Sequence, residues 1–371
     1  MKLPVKDYTL DSFLETIAEN MDEIFGQDEQ RKWLKTYLMY TDDEWLDLFQ
    51  QYKPMKLGEL FHIVMPFEED GGSADYYVYE IAKGMLMFFT TSKRTEYTET
   101  LKEFVRHTQG ITQMWLPPES FEKVINYLLS TYSANIYSFI TKRHWSSKYP
   151  AKLRSDFTRM IHYSGDDASY TLKELQELYG VLPSLVDLKI GSDKIRVTND
   201  GLFMIRTINR KMLRLVVEVI DRILAEQVRL RGVSRQVEYT SKPLTVGNIQ
   251  LNVSSIMSGR ISLNTKLSAH LMEKLFKGFE DEEVGRTAEG TEVSEFSFID
   301  TSIREGSLSF SATVIDEDKG TIFGLSGNEN EMILVPKHRI TFESFIRFFR
   351  LVNETLDDSS NLLLFSEQVA R

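Results

Sequence analysis

Residues 185–230 read LVDLKIGSDKIRVTNDGLFMIRTINRKMLRLVVEVIDRILAEQVRL, and the spacing of the apolar residues changes partway along. Residues 185–190, 195–198 and 202–207 read as three short strands. Gly191-Ser192-Asp193 and Asn199-Asp200-Gly201 stand between them, residue types that reach positive φ or close a turn through a side chain. From about 209 the repeat lengthens. Leu213, Val216, Val217, Ile220, Ile223, Leu224 and Val228 fall on one face of a helix running to about 230, with Gly232 as its expected stop. Short strands that pair antiparallel and then feed a helix bury one face of their sheet beneath it, which is the α+β arrangement.

The same order occurs at 60–107 and at 294–356. Upstream, 60–67, 76–82 and 85–90 read as strands around the tight turn Lys83-Gly84, and 95–107 as a helix. Residues 111–116 add a strand, and Pro117-Pro118 open a helix to about 130, since proline fits the first turn. Downstream, 249–253 and 260–264 read as strands, 267–279 as a helix and 280–292 as an acidic loop. Strands at 294–300, 307–315, 320–325 and 331–335 then lead to a helix over 341–356 with Phe342, Phe345, Ile346 and Phe349 on one face. Residues 233–247 have no apolar period and read as a connector; the tail after Asp357 carries weak signals. The three strand-then-helix segments do not align residue by residue. A shared local order accounts for them as well as true repetition does, because such units are common building blocks.

The N-terminal part reads as helical. Phe13, Leu14, Ile17, Met21 and Ile24 set a helix over 9–25, a second covers about 30–40, and Thr41 with Glu44 forms a capping box ahead of Trp45, Leu48 and Phe49. Thr171 and Glu174 form another, for a short helix with Leu172, Leu175 and Leu178 on one face and Gly180 as its C-terminal stop, Pro183 following. The expected organisation is α+β, with an acidic helical subdomain over 1–58, a central β/α domain over 59–163, and an α+β domain of antiparallel strands and covering helices over 164–371.

Charge follows this division. The 371 residues hold 44 Lys and Arg against 55 Asp and Glu, a net −11. Residues 1–70 carry 16 acids and 7 bases, and the remainder 39 and 37. Such an acidic segment repels nucleic acid and anionic lipid, and suits either a basic partner or plain solvation. There is no cysteine, which excludes disulfides, a thiol nucleophile and thiolate metal sites. The first twenty residues lack the apolar core of a secretory signal. The longest apolar runs, such as 84–89, are strand-sized, far from the ~18–20 residues of a membrane span. A cytoplasmic protein without membrane contact is expected.

No motif with fixed catalytic spacing is present: no phosphate loop, dinucleotide fingerprint, HExxH, nucleophile elbow or kinase signature. None of the six histidines lies three or four residues from another. Two patterns remain. Asp166 and Asp167 lie on a turn, and Asp187-Leu188-Lys189 on a candidate strand about twenty residues later. An acid followed by Asp-x-Lys on a strand resembles the metal-dependent PD-(D/E)xK nucleases, in which two carboxylates hold Mg²⁺ and a lysine polarises the attacking water. That family expects a hairpin where this chain places a helix. A turn plus the outward residues of an alternating strand explains the same four residues. The second pattern is the stretch 142–163. Lys142, Arg143, Lys148, Lys152, Arg154 and Arg159 face a single acid, Asp156, with Trp145, Tyr149, Phe157 and Tyr163 interleaved. Bases neutralise phosphates and aromatic rings stack on exposed nucleobases, so this composition suits single-stranded nucleic acid. A connector with inward aromatics and bases meeting the acidic N-terminal region accounts for it too.

The expected function is therefore a non-enzymatic binding or accessory protein acting in a complex with a protein partner, and binding nucleic acid through 142–163. Motif-poor chains of this kind include many prokaryotic accessory proteins. The alternative is a Mg²⁺-dependent nuclease using Asp166 or Asp167, Asp187 and Lys189; no cofactor is expected otherwise. On the 209–230 helix, Arg214, Glu218, Arg222 and Glu226 form a ladder of alternating sign. Its apolar stripe is core or a homodimer seam.

Overall fold

The computed structural model describes residues 3–20, 33–67, 71–143, 150–154, 159–206, 208–246, 249–277, 296–304, 306–337 and 340–364. The fold is α+β, in two compact units: residues 1–142, 160–175 and 182–228 form the first, and 143–159, 176–181 and 229–371 the second.

The first unit is built on one sheet of eleven strands. These are β1 (Leu34–Thr41), β2 (Met55–Leu57), β3 (Leu60–Pro66), β4 (Ser73–Ala82), β5 (Met85–Thr90), β6 (Ile111–Gln113), β7 (Asn135–Arg143), β8 (Met160–Ser164), β9 (Val181–Ile190), β10 (Asp193–Thr198) and β11 (Leu202–Ile205). Their order is β2-β3-β4-β5-β1-β11-β10-β9-β7-β8, with β6 also beside β1. The two strand groups foreseen at 60–90 and 185–207 thus share one sheet. They are joined through β1, which pairs antiparallel with β5 on one side and β11 on the other.

One face of this sheet is covered by α1 (Leu10–Glu19), whose Phe13 packs on Tyr77 and Phe89 at 5.4 and 5.2 Å between ring centroids. The long helix there is α7 (Arg210–Gln236). It buries Leu213, Val216, Ile220 and Ile223, and its Gln227 accepts a hydrogen bond from the buried Tyr40 hydroxyl. The stripe read from the sequence is therefore core within the chain, although Val228 is exposed. On the opposite face, α2 (Trp45–Leu48), α3 (Arg94–Tyr97), a π-turn over Thr98–Lys102 and α4 (Glu103–His107) cover the β3–β5 half. Tyr37, Met39, Tyr76, Val78, Leu86 and Phe88 form a core there with Trp45, Phe49, Tyr97 and Leu101. The remaining helices of this part are α5 (Pro118–Thr131) and α6 (Ala168–Tyr179).

In the second unit, β12 (Glu238–Val246) and β13 (Ile249–Met257) form a ribbon. A six-stranded sheet is built from β14 (Gly259–Ser262), β15 (Phe296–Arg304), β16 (Ser309–Asp316), β17 (Thr321–Asn328), β18 (Glu331–Pro336) and β19 (Asn361–Leu364). Its helices are α8 (Ala269–Phe276) and α9 (Phe342–Thr355). From α9, Phe345 and Phe348 pack on Phe323 of β17 at 5.5 and 5.2 Å.

Several local expectations are corrected. Residues 34–41 form a strand, where the sequence pattern predicts a helix over about 30–40. All eight side chains are buried, and a central strand covered on both faces loses the alternation that marks a half-buried one. Thr41 ends this strand, so it does not cap a helix; α2 is a single turn beginning at Trp45. α6 begins at Ala168, which places Thr171 inside it and not at its cap. The expected stop at its other end holds: Gly180 has φ +62° and its amide donates to the Gln176 carbonyl at 3.0 Å. Gly232 lies within α7, which continues to Gln236; an interior glycine costs about 1 kcal/mol, which tertiary packing overrides. The expected connector 233–247 is the end of that helix and strand β12. The tail after Asp357 supplies β19, an edge strand on β14. The expected acidic loop at 280–292, and Met21 and Ile24 of the first helix, lie outside the described residues.

Candidate nucleic-acid interface

The basic stretch 142–163 is the connection of a hairpin. β7 and β8 pair antiparallel from Ser138↔Ser164 to Lys142↔Met160 and form the terminal strand pair of the sheet. Lys142 and Arg143 end β7. Lys152 and Arg154 are exposed, and the backbone amides of Lys152 and Leu153 donate to the Leu178 carbonyl at 3.0 and 2.9 Å. Arg159 lies over the Tyr179 ring at 4.3 Å, and Tyr163 stacks on Phe139 at 5.4 Å. Part of the aromatic content is thus spent on packing. Trp145, Lys148, Tyr149 and Phe157 lie outside the described residues, as does the side chain of Arg143.

The four residues of the nuclease-like pattern are placed as follows. Asp166 and Asp167 are exposed on the turn ahead of α6, and Asp167 accepts from the Tyr163 hydroxyl at 2.7 Å. Asp187 and Lys189 share one face of β9, as alternation requires. Asp187 is buried and accepts from Arg196 Nε at 2.6 Å and Nη2 at 2.9 Å. A bidentate guanidinium–carboxylate pair is among the strongest side-chain hydrogen bonds. It raises the Arg196 pKa and occupies both Asp187 oxygens. Among the described residues, no group of three His, Cys, Asp or Glu side chains stands close enough to hold a metal ion.

Register assembles a larger constellation on the face that Asp187 and Lys189 share. In antiparallel pairs, directly opposite residues project to the same side. Lys189 is opposite Lys194, Asp187 is opposite Arg196, and Arg196 is opposite Met204 on β11. Two positions further on, the Arg206 amide donates to the Lys194 carbonyl at 3.1 Å. Arg206, Lys194 and Lys189 therefore form one row across three strands. Trp33 flanks the row just before β1, with the guanidinium carbons of Arg206 and Arg196 at 5.7 and 5.9 Å from its ring centroid. Tyr137 of β7 lies on the other side, with Lys194 Nζ at 5.0 Å from its ring. Burial, then the Asp187 charge, push the Tyr137 hydroxyl pKa up. Like charges directly opposite on neighbouring strands destabilise a sheet, so the Lys189–Lys194 pair is a cost in the free protein. Lys189 and Arg206 are exposed, and Lys194, Trp33 and Tyr137 half-buried. The sequence alone does not single out Trp33, Tyr137, Lys194, Arg196 and Arg206. Alternation around 185–207 assigns them faces, but their convergence depends on which strands pair.

At the far end of the sheet, a cavity of about 290 Å³ is bordered by Leu57, His62, Ser73, Asp75 and Tyr77, among others. His62 Nε2 meets Asp75 at 2.9 Å, and its ring stacks on Tyr77 at 4.6 Å. Burial raises the Asp75 carboxyl, but hydrogen bonds and positive charge around it, His62's among them, hold it below its usual pKa; burial pushes Tyr77 up to about 12. Ser73 lies two residues from Asp75 on the same strand face, roughly 7 Å along β4 and away from His62. This is not a nucleophile–base pair.

Comparison with known proteins gives two matches. Residues 119–199 match a family model described as a family middle domain. An uncharacterized protein of Archaeoglobus fulgidus is 23% identical over 288 residues, covering 74% of this chain and 74% of that protein. The 119–199 segment contains the hairpin stretch, Asp187, Lys189, Lys194 and Arg196. Among the described residues, no helix is long and apolar enough to cross a membrane.

Proposed function

We propose that the chain is a non-enzymatic intracellular binding protein that works within a complex and contacts nucleic acid through the stretch 142–163. The observation that carries this is the Lys142↔Met160 pairing at the end of the β7–β8 hairpin. In sequence, six bases and one acid fall within 142–163, the segment that joins these two paired strands, and that composition suits phosphate contacts. The archaeal relative fits a prokaryotic setting. Binding should be salt-sensitive and should weaken when Arg143, Lys148 and Arg154 are replaced together by alanine. Electrophoretic mobility shift of the full chain against labelled nucleic acid tests this, and unchanged affinity in the triple variant removes the assignment.

A metal-dependent nuclease using Asp166 or Asp167, Asp187 and Lys189 is the second reading, supported by Asp187 and Lys189 sharing one face of β9. It requires Mg²⁺-dependent cleavage that Asp187→Ala abolishes; cleavage unaffected by that change removes it.

A further inference from the structure

We infer that the face shared by β9, β10 and β11 is a platform for single-stranded nucleic acid, with phosphates along Arg206, Lys194 and Lys189 and bases stacking at Trp33 and Tyr137. This deepens the reading of the chain as a nucleic-acid binder and adds a second surface to the hairpin. Three observations carry it. First, the three cations lie side by side across adjacent strands, spanning roughly 10 Å at the usual strand spacing. Second, the charge of the row is not cancelled within the face. Asp187 is the only acid facing this side among the described residues of β9, β10 and β11, and its two oxygens are taken by Arg196. The repulsion between Lys189 and Lys194 is relieved when an anion sits between them. Third, aromatic rings flank the row at both ends, each beside a cation, so one nucleotide can offer its phosphate to the cation and its base to the ring. A sheet face set with rings and cations suits unstacked bases, whereas duplex bases are already stacked inside the helix.

The test uses the full chain and fluorescence anisotropy of a labelled twelve-nucleotide strand, as DNA and as RNA, against a duplex of equal length. Expected is tighter binding of the single strand than of the duplex. Replacing Lys189, Lys194 and Arg206 together by alanine should cost at least tenfold in affinity. It should also flatten the dependence of log K on log salt by about 2, since each phosphate neutralised on a single strand contributes about 0.7. Trp33→Ala should cost about 5- to 100-fold. A Lys189→Arg, Lys194→Arg double variant should retain binding, which separates loss of charge from loss of fold. Comparison of the DNA and RNA arms identifies the sugar preferred. The platform is overturned if its variants bind like wild type while the Arg143, Lys148, Arg154 variant loses binding; the hairpin proposal then stands alone. Equal binding of duplex overturns the single-strand assignment. No binding of any nucleic acid at low salt overturns both.

Discussion

The sheet of the first unit presents two halves on one side. Around β3–β5 that side carries Tyr37, Tyr76, Val78 and Phe88, buried beneath the 94–107 helical segment and Trp45. Around β9–β11 it carries Met204, Arg196, Lys194 and Lys189, which are half-buried or exposed. Both halves are made of short antiparallel strands on the two sides of β1. What differs is the side chains that the register brings together. In the first half it gathers aromatics. In the second it sets Lys189 opposite Lys194, a like-charged cross-strand pair that disfavours the folded state. The contrast places close packing in the first half, and in the second the surface for which binding is proposed.

The largest expected difference between the halves is in truncation. Phe88 is fully buried and packs on Phe49 at 5.8 Å and Tyr76 at 6.3 Å, so Phe88→Ala should destabilise by about 3–5 kcal/mol in urea unfolding. Met204→Ala, on a half-buried position of the open half, should cost about 1 kcal/mol or less. Equal costs would erase the contrast. Asp187→Ala comes next. It strips Arg196, about a third exposed, of both its acceptors, and should cost about 1–3 kcal/mol after allowing for solvent screening. The freed guanidinium should raise single-strand affinity severalfold; a fall in affinity would show that the pair, and not the neighbouring row, meets the ligand.

Alkaline pH sharpens the comparison further. Tyr37 and Tyr76 of the covered half are pushed well up, burial being the chief cause, while the unfolded chain ionises near pH 10. A raised folded-state pKa means stability present below about pH 10 and lost as pH rises beyond it. Unfolding free energy should therefore fall above that pH, and less steeply in Tyr76→Phe; the same slope in that variant would place the effect elsewhere. The smallest effect is in the row itself. Lys189→Glu puts opposite charges across from each other and should add about 0.2–1 kcal/mol of stability while weakening single-strand binding. Lost stability would mean that the two lysines are not opposed in solution.

The same halves differ in how far the sequence discloses them. The strands after 185, their turns and the helix from 210 follow from period and turn chemistry, because each strand there has one apolar face. β1 does not, because burial on both faces leaves a run such as 34–41 with no alternation to tell strand from helix. β12 does not either, being one arm of a two-stranded ribbon without a read period. The site is legible in part for a related reason. Lys142 and Arg143 are visible as composition, and Asp187 with Lys189 as alternation within one strand. Trp33 and Arg206 meet across 173 positions of sequence, and only the pairing of β1 with β11 brings them together.

The most direct measurement is the affinity of the full chain for a single-stranded oligonucleotide as a function of salt. Log K should fall linearly with log salt, with a slope of about −2 or steeper, the value for three neutralised phosphates. Binding undetectable at low salt, or a slope near zero, would contradict the assignment of this basic, aromatic surface to nucleic acid.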